Sequence, residues 1–307
     1  MKSYETIIVA VHYNRAGMIK DSIESVVNQL SSSELLLLID DGSTDNTLDE
    51  LKKYSSENVL VLTWENRGFT ASVIKAIGMY DCKFIAIHGA GDISLPNRFQ
   101  KQAEILNQKP DVVVVGAYHK NINLRVNVEH ISKNKIQGPS KLQILNENPF
   151  SHSEVMFRRD AYYKAGGYRT TFKYAQDRDL WCRMSFFGDF YIVQEVLVER
   201  FHAIAGSVSG NYSKALHQRY LSDFALYCHR LRLKYGYQAD DNIEFAMLKY
   251  TPSFRIQKEL FLTSLRLIKR KEFDAFYEYR KNVSDSLIFK LIYPVLTPVI
   301  WWFKSKR

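Results

Sequence analysis

Residues 35–47, LLLLIDDGSTDNT, constrain this chain more than any other stretch. Five apolar residues run directly into two adjacent carboxylates, Asp40 and Asp41, and then into Gly42, Ser43 and Thr44, with Asp45 and Asn46 behind. A short unbroken apolar run suits a strand buried on both faces of a parallel sheet, and the turn formers after it place the acids at its carboxyl end. In an open α/β sheet that edge is where ligands bind. Neighbouring carboxylates repel, and no fold requires them side by side, so the pair points to metal binding or to hydrogen bonds from a ligand's N–H or O–H groups. The plainer alternative is a helix cap, a role expected of Ser43 or Asp45.

The rest of the chain reads as strand alternating with helix. Strands are expected at 6–11, 35–39, 59–62 and 83–87, and helices at 18–30, 45–54 and 69–79, the first on the spacing of Ile19, Ile23, Val26, Val27 and Leu30. That alternation predicts a doubly wound, mostly parallel sheet with helices on both faces. Further helices are expected at 96–108, 141–146, 159–165 and 176–187, and strands at 111–117, 154–157, 190–194 and 196–202. Residues 118–137 read as polar and irregular, and from Tyr212 onward only helices are expected.

Charge divides the chain. Residues 1–210 hold 24 Lys and Arg against 24 Asp and Glu, whereas residues 211–307 hold 18 against 9, so the whole excess of +9 lies in the last third. This predicts a neutral domain, 1–210, followed by a basic helical extension, 211–307, that meets an anionic surface. Cys82, Cys182 and Cys228 are odd in number and far apart, as expected of free thiols in a reducing compartment. A strand beginning near Thr6 leaves no room for a signal peptide, so this domain is expected in the cytoplasm.

Taken together, IDDGSTDNT (39–47), NRGFTASVIKAI (66–77), GAGDISLPNRFQKQ (89–102), SHSEVMFRR (151–159), AGGY (165–168) and QDRDLWCRM (176–184) resemble the inverting family 2 glycosyltransferases of the GT-A fold. No single block is specific, but their order and spacing are. The resemblance implies transfer of a sugar from a nucleotide diphosphate sugar to an acceptor hydroxyl. It implies that Asp41 accepts the imide N–H of the nucleotide base and that backbone near Val11 and His12 lines the same pocket. Arg67 and Lys75 would meet phosphate charge, or else are solvated surface charges. Asp177 stands where the family has its general base, with Gln176 in place of the usual Glu, and would take the acceptor's proton; the alternative is a helix cap. Asp179 is expected to pair with Arg183 one helical turn on. His152 and Ser153 fall in a loop that, by the resemblance, faces the acceptor, although a lone His is more often structural.

The chain departs from the family at Gly89-Ala90-Gly91-Asp92, where Asp-x-Asp-Asp is usual. Glycine supplies no ligand atom, so binding of Mg2+ or Mn2+ is placed in doubt. Asp92 holds the ion, or His202 joins it, or a cation such as Arg200 stabilises the leaving group instead. The same departure leaves open a non-catalytic, nucleotide-sugar-binding relative acting as a partner or scaffold.

Residues 287–303, LIFKLIYPVLTPVIWWF, contain one charge, Lys290, and two prolines. As a helix the segment would reach roughly 25 Å, short of the ~30 Å hydrocarbon core. An interfacial segment with Tyr293, Trp301 and Trp302 at headgroup level is expected, or else a helix folded back on the domain. The expectation is peripheral association with the inner face of the plasma membrane and a lipid-linked glycan acceptor, in O-antigen, capsule or other surface polysaccharide synthesis. Because the tail's charge accompanies aliphatic runs rather than a polar basic groove, nucleic acid is not expected as a partner.

Overall fold

In the computed structural model, which describes residues 3–124, 126–136, 139–202 and 212–269, the apolar run of residues 35–39 lies wholly inside a sheet. The chain divides into two units, Met1–Ala205 and Gly206–Arg307.

Nine strands of the first unit form one sheet among the described residues: β1 (Ser3–His12), β2 (Glu34–Asp40), β3 (Val59–Thr63), β4 (Asp81–His88), β5 (Ile93–Ser94), β6 (Val112–Asn123), β7 (Val128–Ser132), β8 (Met156–Arg158) and β9 (Asp189–His202). Their order is β3-β2-β1-β4-β8-β6-β9-β5, with β7 paired to β6. From β3 to β4 every pairing is parallel, with Ile8 opposite Leu36 and Leu37 opposite Leu60. Every residue of β2 is buried, and a fully buried Leu stabilises the fold by about 1.5–3 kcal/mol.

The helices of this unit are α1 (Ile19–Val27), α2 (Thr47–Lys52), α3 (Phe69–Met79), α4 (Arg98–Gln108), α5 (Ser140–Gln143), α6 (Arg159–Lys164) and α7 (Gln176–Met184). Ile19, Ile23 and Val26 of α1, Leu51 of α2 and Phe99, Ala103 and Leu106 of α4 pack with Ile8, Ala10, Leu36 and Leu38, the alternate residues of one sheet face. Helix α3 touches β1 and β2 while its buried Val73, Ala76 and Ile77 stay outside that cluster, so it covers the opposite face. Both faces are covered, as the sequence predicts.

The pattern departs from a purely parallel sheet beyond β4. The short β8 runs antiparallel to both β4 and β6, whereas β6 and β9 are parallel. Residues 118–137 are not irregular: β6 continues to Asn123 and pairs with β7. This extension lacks apolar alternation because most of it is open to water; β7 has no fully buried residue. The two expected strands at 190–202 are one, β9, whose ladder with β6 shifts register at Tyr118. Pro96 falls before α4, which starts at Arg98 after a left-handed Asn97 (φ 64°).

The second unit contains α8 (Tyr212–Tyr235), α9 (Ile243–Lys249) and α10 (Phe254–Lys269). Phe224, Ala225 and Cys228 of α8 are buried, and Tyr250 donates to Asp223 at 2.5 Å. Among the described residues no helix is long and apolar enough to cross a membrane. The aromatic segment 287–303 lies outside them. All three cysteines are buried free thiols, and burial pushes Cys82 up to about 12.

Candidate active site

The carboxyl ends of β1, β2 and β4 carry the polar residues that the sequence singles out, because each apolar strand stops there and turn chemistry begins. Gly42, with φ +72°, makes the first turn possible, and an added Cβ would lie 2.6 Å from the Asn66 nitrogen. Residues 13–16 and 43–47 are stitched together across that edge. Asn14 accepts from the Thr44 N–H at 2.8 Å, Ser43 accepts from the Asn14 N–H at 3.0 Å, and Thr47 accepts from the Arg15 N–H at 2.7 Å. Asp45, rather than Ser43, holds the start of α2, accepting the Thr47 N–H at 3.0 Å.

The two acids have separate partners. Asp40 accepts the Ser43 N–H at 3.1 Å and the Thr63 hydroxyl at 2.9 Å, which commits it to the turn and to β3. Asp41 is buried, and its carboxylate gathers the loop before α3: Arg67 N–H at 3.2 Å, Gly68 N–H at 2.9 Å and Ser72 hydroxyl at 2.5 Å. Trp64 donates its indole N–H to the same Ser72 oxygen at 2.7 Å, while Arg67 and Lys75 lie over the Trp64 ring, 5.5 and 4.2 Å from its centroid. Arg67 and Lys75 are therefore neither buried nor randomly solvated; one indole collects both cations beside Asp41. Val11 and His12 end β1, one residue beyond the expected strand; the His12 carbonyl accepts the Asp41 N–H at 2.8 Å and its ring is buried.

A second group assembles beyond β4. Asp92 follows Gly89, Ala90 and Gly91, its backbone carbonyl accepting from Ser22 at 2.7 Å and its carboxylate from the Phe201 N–H at 3.3 Å. Burial raises its pKa, with the charge of Arg200 and the Ser153 hydroxyl acting the other way. His152 and Ser153 lie in a 3-10 helix, His152–Glu154, whose start is held by the Ser151 N–H donating to the Glu154 carboxylate at 2.8 Å. The His152 ring shares a 2.5 Å hydrogen bond with the Tyr168 hydroxyl and meets Phe69 and Trp181 edge-on. Burial lowers its pKa to about 4, although Asp177 pulls upward.

Asp177 stands in the first turn of α7, half-buried, facing His152 and Tyr168 closely enough for its charge to act on both. Among the described residues no hydrogen bond or ion pair engages its carboxylate, so it is not spent as a cap. Asp179 behaves as the sequence predicts: it is fully buried and receives Arg183 Nη2 at 2.6 Å and Nε at 3.2 Å. Removing one partner leaves an uncompensated buried charge. Asp179→Ala is expected to lower unfolding free energy by ~3–5 kcal/mol, read from urea midpoints.

Burial also holds His12 down to about 4 and His88 well below the ordinary imidazole value. The sign follows from proton counting: below pH 6.5 the unfolded chain binds protons that the folded chain refuses until about pH 4. Stability from these histidines is fully present above pH 6.5 and lost as pH falls from there to about 4. Urea midpoints taken from pH 8 to 4 are expected to stay level above 6.5 and drop below it.

Sequence reasoning missed Tyr168, Ser72, Trp64 and the fully buried Arg98, which donates to Ser94, Gln102 and the Ile87 carbonyl. Only AGGY, with its two left-handed glycines, hinted at Tyr168. His202 ends β9, but its side chain lies outside the described residues. Among the described residues Gly89 and Gly91 offer no ligand atom and no three His, Cys, Asp or Glu lie together, so those residues do not make up a divalent-cation site.

The putative glycosyltransferase EpsE of Bacillus subtilis is 29% identical over 184 residues, 56% of this chain and 63% of its own. The O-antigen biosynthesis glycosyltransferase WbnJ of Escherichia coli is 31% identical over 185 residues, 58% of this chain and 70% of its own. The amylovoran biosynthesis glycosyltransferase AmsE of Erwinia amylovora is 24% identical over 192 residues, covering 60% and 70%. The chain thus spans under two thirds of the length of EpsE. In fold it is similar to S. aureus TarS 1-349 in complex with UDP-GlcNAc (TM-score 0.57, 13% identity, 91% of each chain). It is likewise similar to the mannosyltransferase PcManGT of Pyrobaculum calidifontis in complex with GDP-Man and Mn2+ (TM-score 0.55, 13% identity, 92% and 87%). The family description "Glycosyl transferase family 2" matches residues 7–166, over half of the chain, and the chain belongs to that family.

Proposed function

We propose that this chain transfers a sugar from a nucleotide diphosphate sugar to an acceptor hydroxyl with inversion at the anomeric carbon. The observation that carries the reading is Asp177, a half-buried carboxylate with no partner among the described residues, placed at a helix N-terminus that favours its anion. As the acceptor oxygen attacks the anomeric carbon, its proton passes to the Asp177 carboxylate and the nucleoside diphosphate departs from the opposite face. His152, neutral above about pH 4, and Tyr168 shape the acceptor side. On the donor side, a carboxylate has about four acceptor positions. Asp41 uses three internally, which leaves one for the N–H of the base. Arg67 and Lys75, with Trp64 between them, face the anionic donor.

The acceptor is a lipid-linked surface glycan at the cytoplasmic face of the plasma membrane. Support comes from the O-antigen and amylovoran roles named for WbnJ and AmsE, and from the basic residues and aromatic segment of the last third. Incubating the full chain with a panel of nucleotide diphosphate sugars, with and without lipid-linked acceptors, tests the reading. One donor is expected to be consumed, faster with acceptor; binding without turnover of any donor would favour the non-catalytic alternative.

A further inference from the structure

We propose that Arg200 occupies the role of a divalent cation here: its guanidinium offsets the charge on the departing diphosphate, and Asp92 is the anion that aims it. The inference rests on the donor reading above.

The local packing is built around the absence of acids at positions 89 and 91. A Cβ on Gly89 would lie 2.2 Å from Asp92 Oδ2, so the Asp92 carboxylate fills the space a side chain there would need. Gly91 has φ +95°, and its Cβ would lie 2.6 Å from Met18 Cε. An acid at 89 would have to displace Asp92, and one at 91 would need a strained backbone and a shift of Met18. In the antiparallel ladder Ile93 pairs with Glu199 and Ser94 with Val198. Continued by one residue, that register brings Asp92 opposite Arg200, and the Phe201 N–H bond to Asp92 agrees with it.

Arg200 itself is underused. A guanidinium has five N–H donors. Among the described residues its one hydrogen bond is a long one, Nη1 to Asn121 Oδ1 at 3.5 Å, and its buried Nε has no partner. Its charge acts on both Asp92 and His152, so it lies near the glycine turn and the acceptor-side ring. The other cation near Asp92, Arg98, is fully buried and spent on Ser94, Gln102 and the Ile87 carbonyl. Arg200 is thus the cation with donors left to give.

In the transfer step the acceptor O–H bond breaks as its proton moves to Asp177, and the oxygen's electron pair forms the new bond to the anomeric carbon. The bond from that carbon to the diphosphate oxygen breaks, and its electron pair leaves on the diphosphate. That added negative charge is what Arg200 meets, through the planar fork that suits phosphate oxygens.

Calorimetric titration of UDP and GDP into the intact chain, in EDTA and in Mn2+, tests the inference, together with donor turnover under both conditions. The preferred diphosphate is expected to bind within about threefold as tightly in EDTA as in Mn2+, with turnover retained. Arg200→Gln is expected to weaken that binding at least about tenfold and turnover about 10²–10³-fold, and Arg200→Lys to fall between. Binding or turnover that appears only with Mn2+ would overturn the inference while leaving the donor reading intact, as would an Arg200→Gln protein that matches wild type. If a folded wild-type protein binds neither diphosphate under either condition, the donor reading fails and the inference with it.

Discussion

Asp177→Asn is expected to lower turnover by about 10²–10⁴-fold while donor affinity changes little. Asparagine keeps the size and the helix position but cannot accept a proton at working pH. Because the wild-type carboxylate has no partner among the described residues, the substitution breaks no bond among them, and the folded state should be retained. Single-turnover kinetics beside equilibrium donor binding separate the two effects. If turnover survived within a fewfold of wild type, Asp177 would be only a helix-terminal charge, and the base would have to be sought elsewhere on the acceptor side.

Asp41→Asn is expected to act on both stability and donor binding. The buried carboxylate accepts from two backbone N–H groups and one hydroxyl. An amide replaces one acceptor oxygen with a donor, so at least one of those N–H groups faces another donor without water to relieve it. The expected loss of unfolding free energy is about 3 kcal/mol, read from urea midpoints. Because residues 66–68 and Ser72 hang on this carboxylate, the platform of Trp64, Arg67 and Lys75 should loosen as well. Nucleoside diphosphate affinity is expected to fall more than tenfold, roughly the loss of one charged hydrogen bond of 1.5–3 kcal/mol. Unchanged stability together with unchanged donor binding would remove Asp41 from both roles.

The sheet centre was legible because its signal is local. The run at 35–39 and the alternation of strand and helix up to residue 88 are consequences of burial on both faces, and burial leaves its mark on residue type. The β6–β7 pairing left none, since a solvent-covered hairpin imposes no apolar alternation on residues 118–132. The split expected within β9 has the same origin: Glu195 reads as a break, whereas it lies in a water-exposed irregularity within one strand. In the site, Asp41, Asp92 and Asp177 could be picked out by type and position along the chain. The groups that meet Asp41 and Asp92 could not, because Ser72 lies 31 residues from the one and Phe201 109 residues from the other. The glycines at 89 and 91 illustrate the difference. In sequence they register as missing ligands; in space they make room for Asp92 and Met18.

The most direct test of an inverting transfer based on Asp177 needs no acceptor. With the preferred donor, proton NMR can follow the sugar first released when water takes the acceptor's place, before mutarotation mixes its anomers. A single displacement predicts that the anomer opposite to that of the donor appears first, and that Asp177→Asn suppresses its release. Release of the anomer with the donor's own configuration would contradict the account.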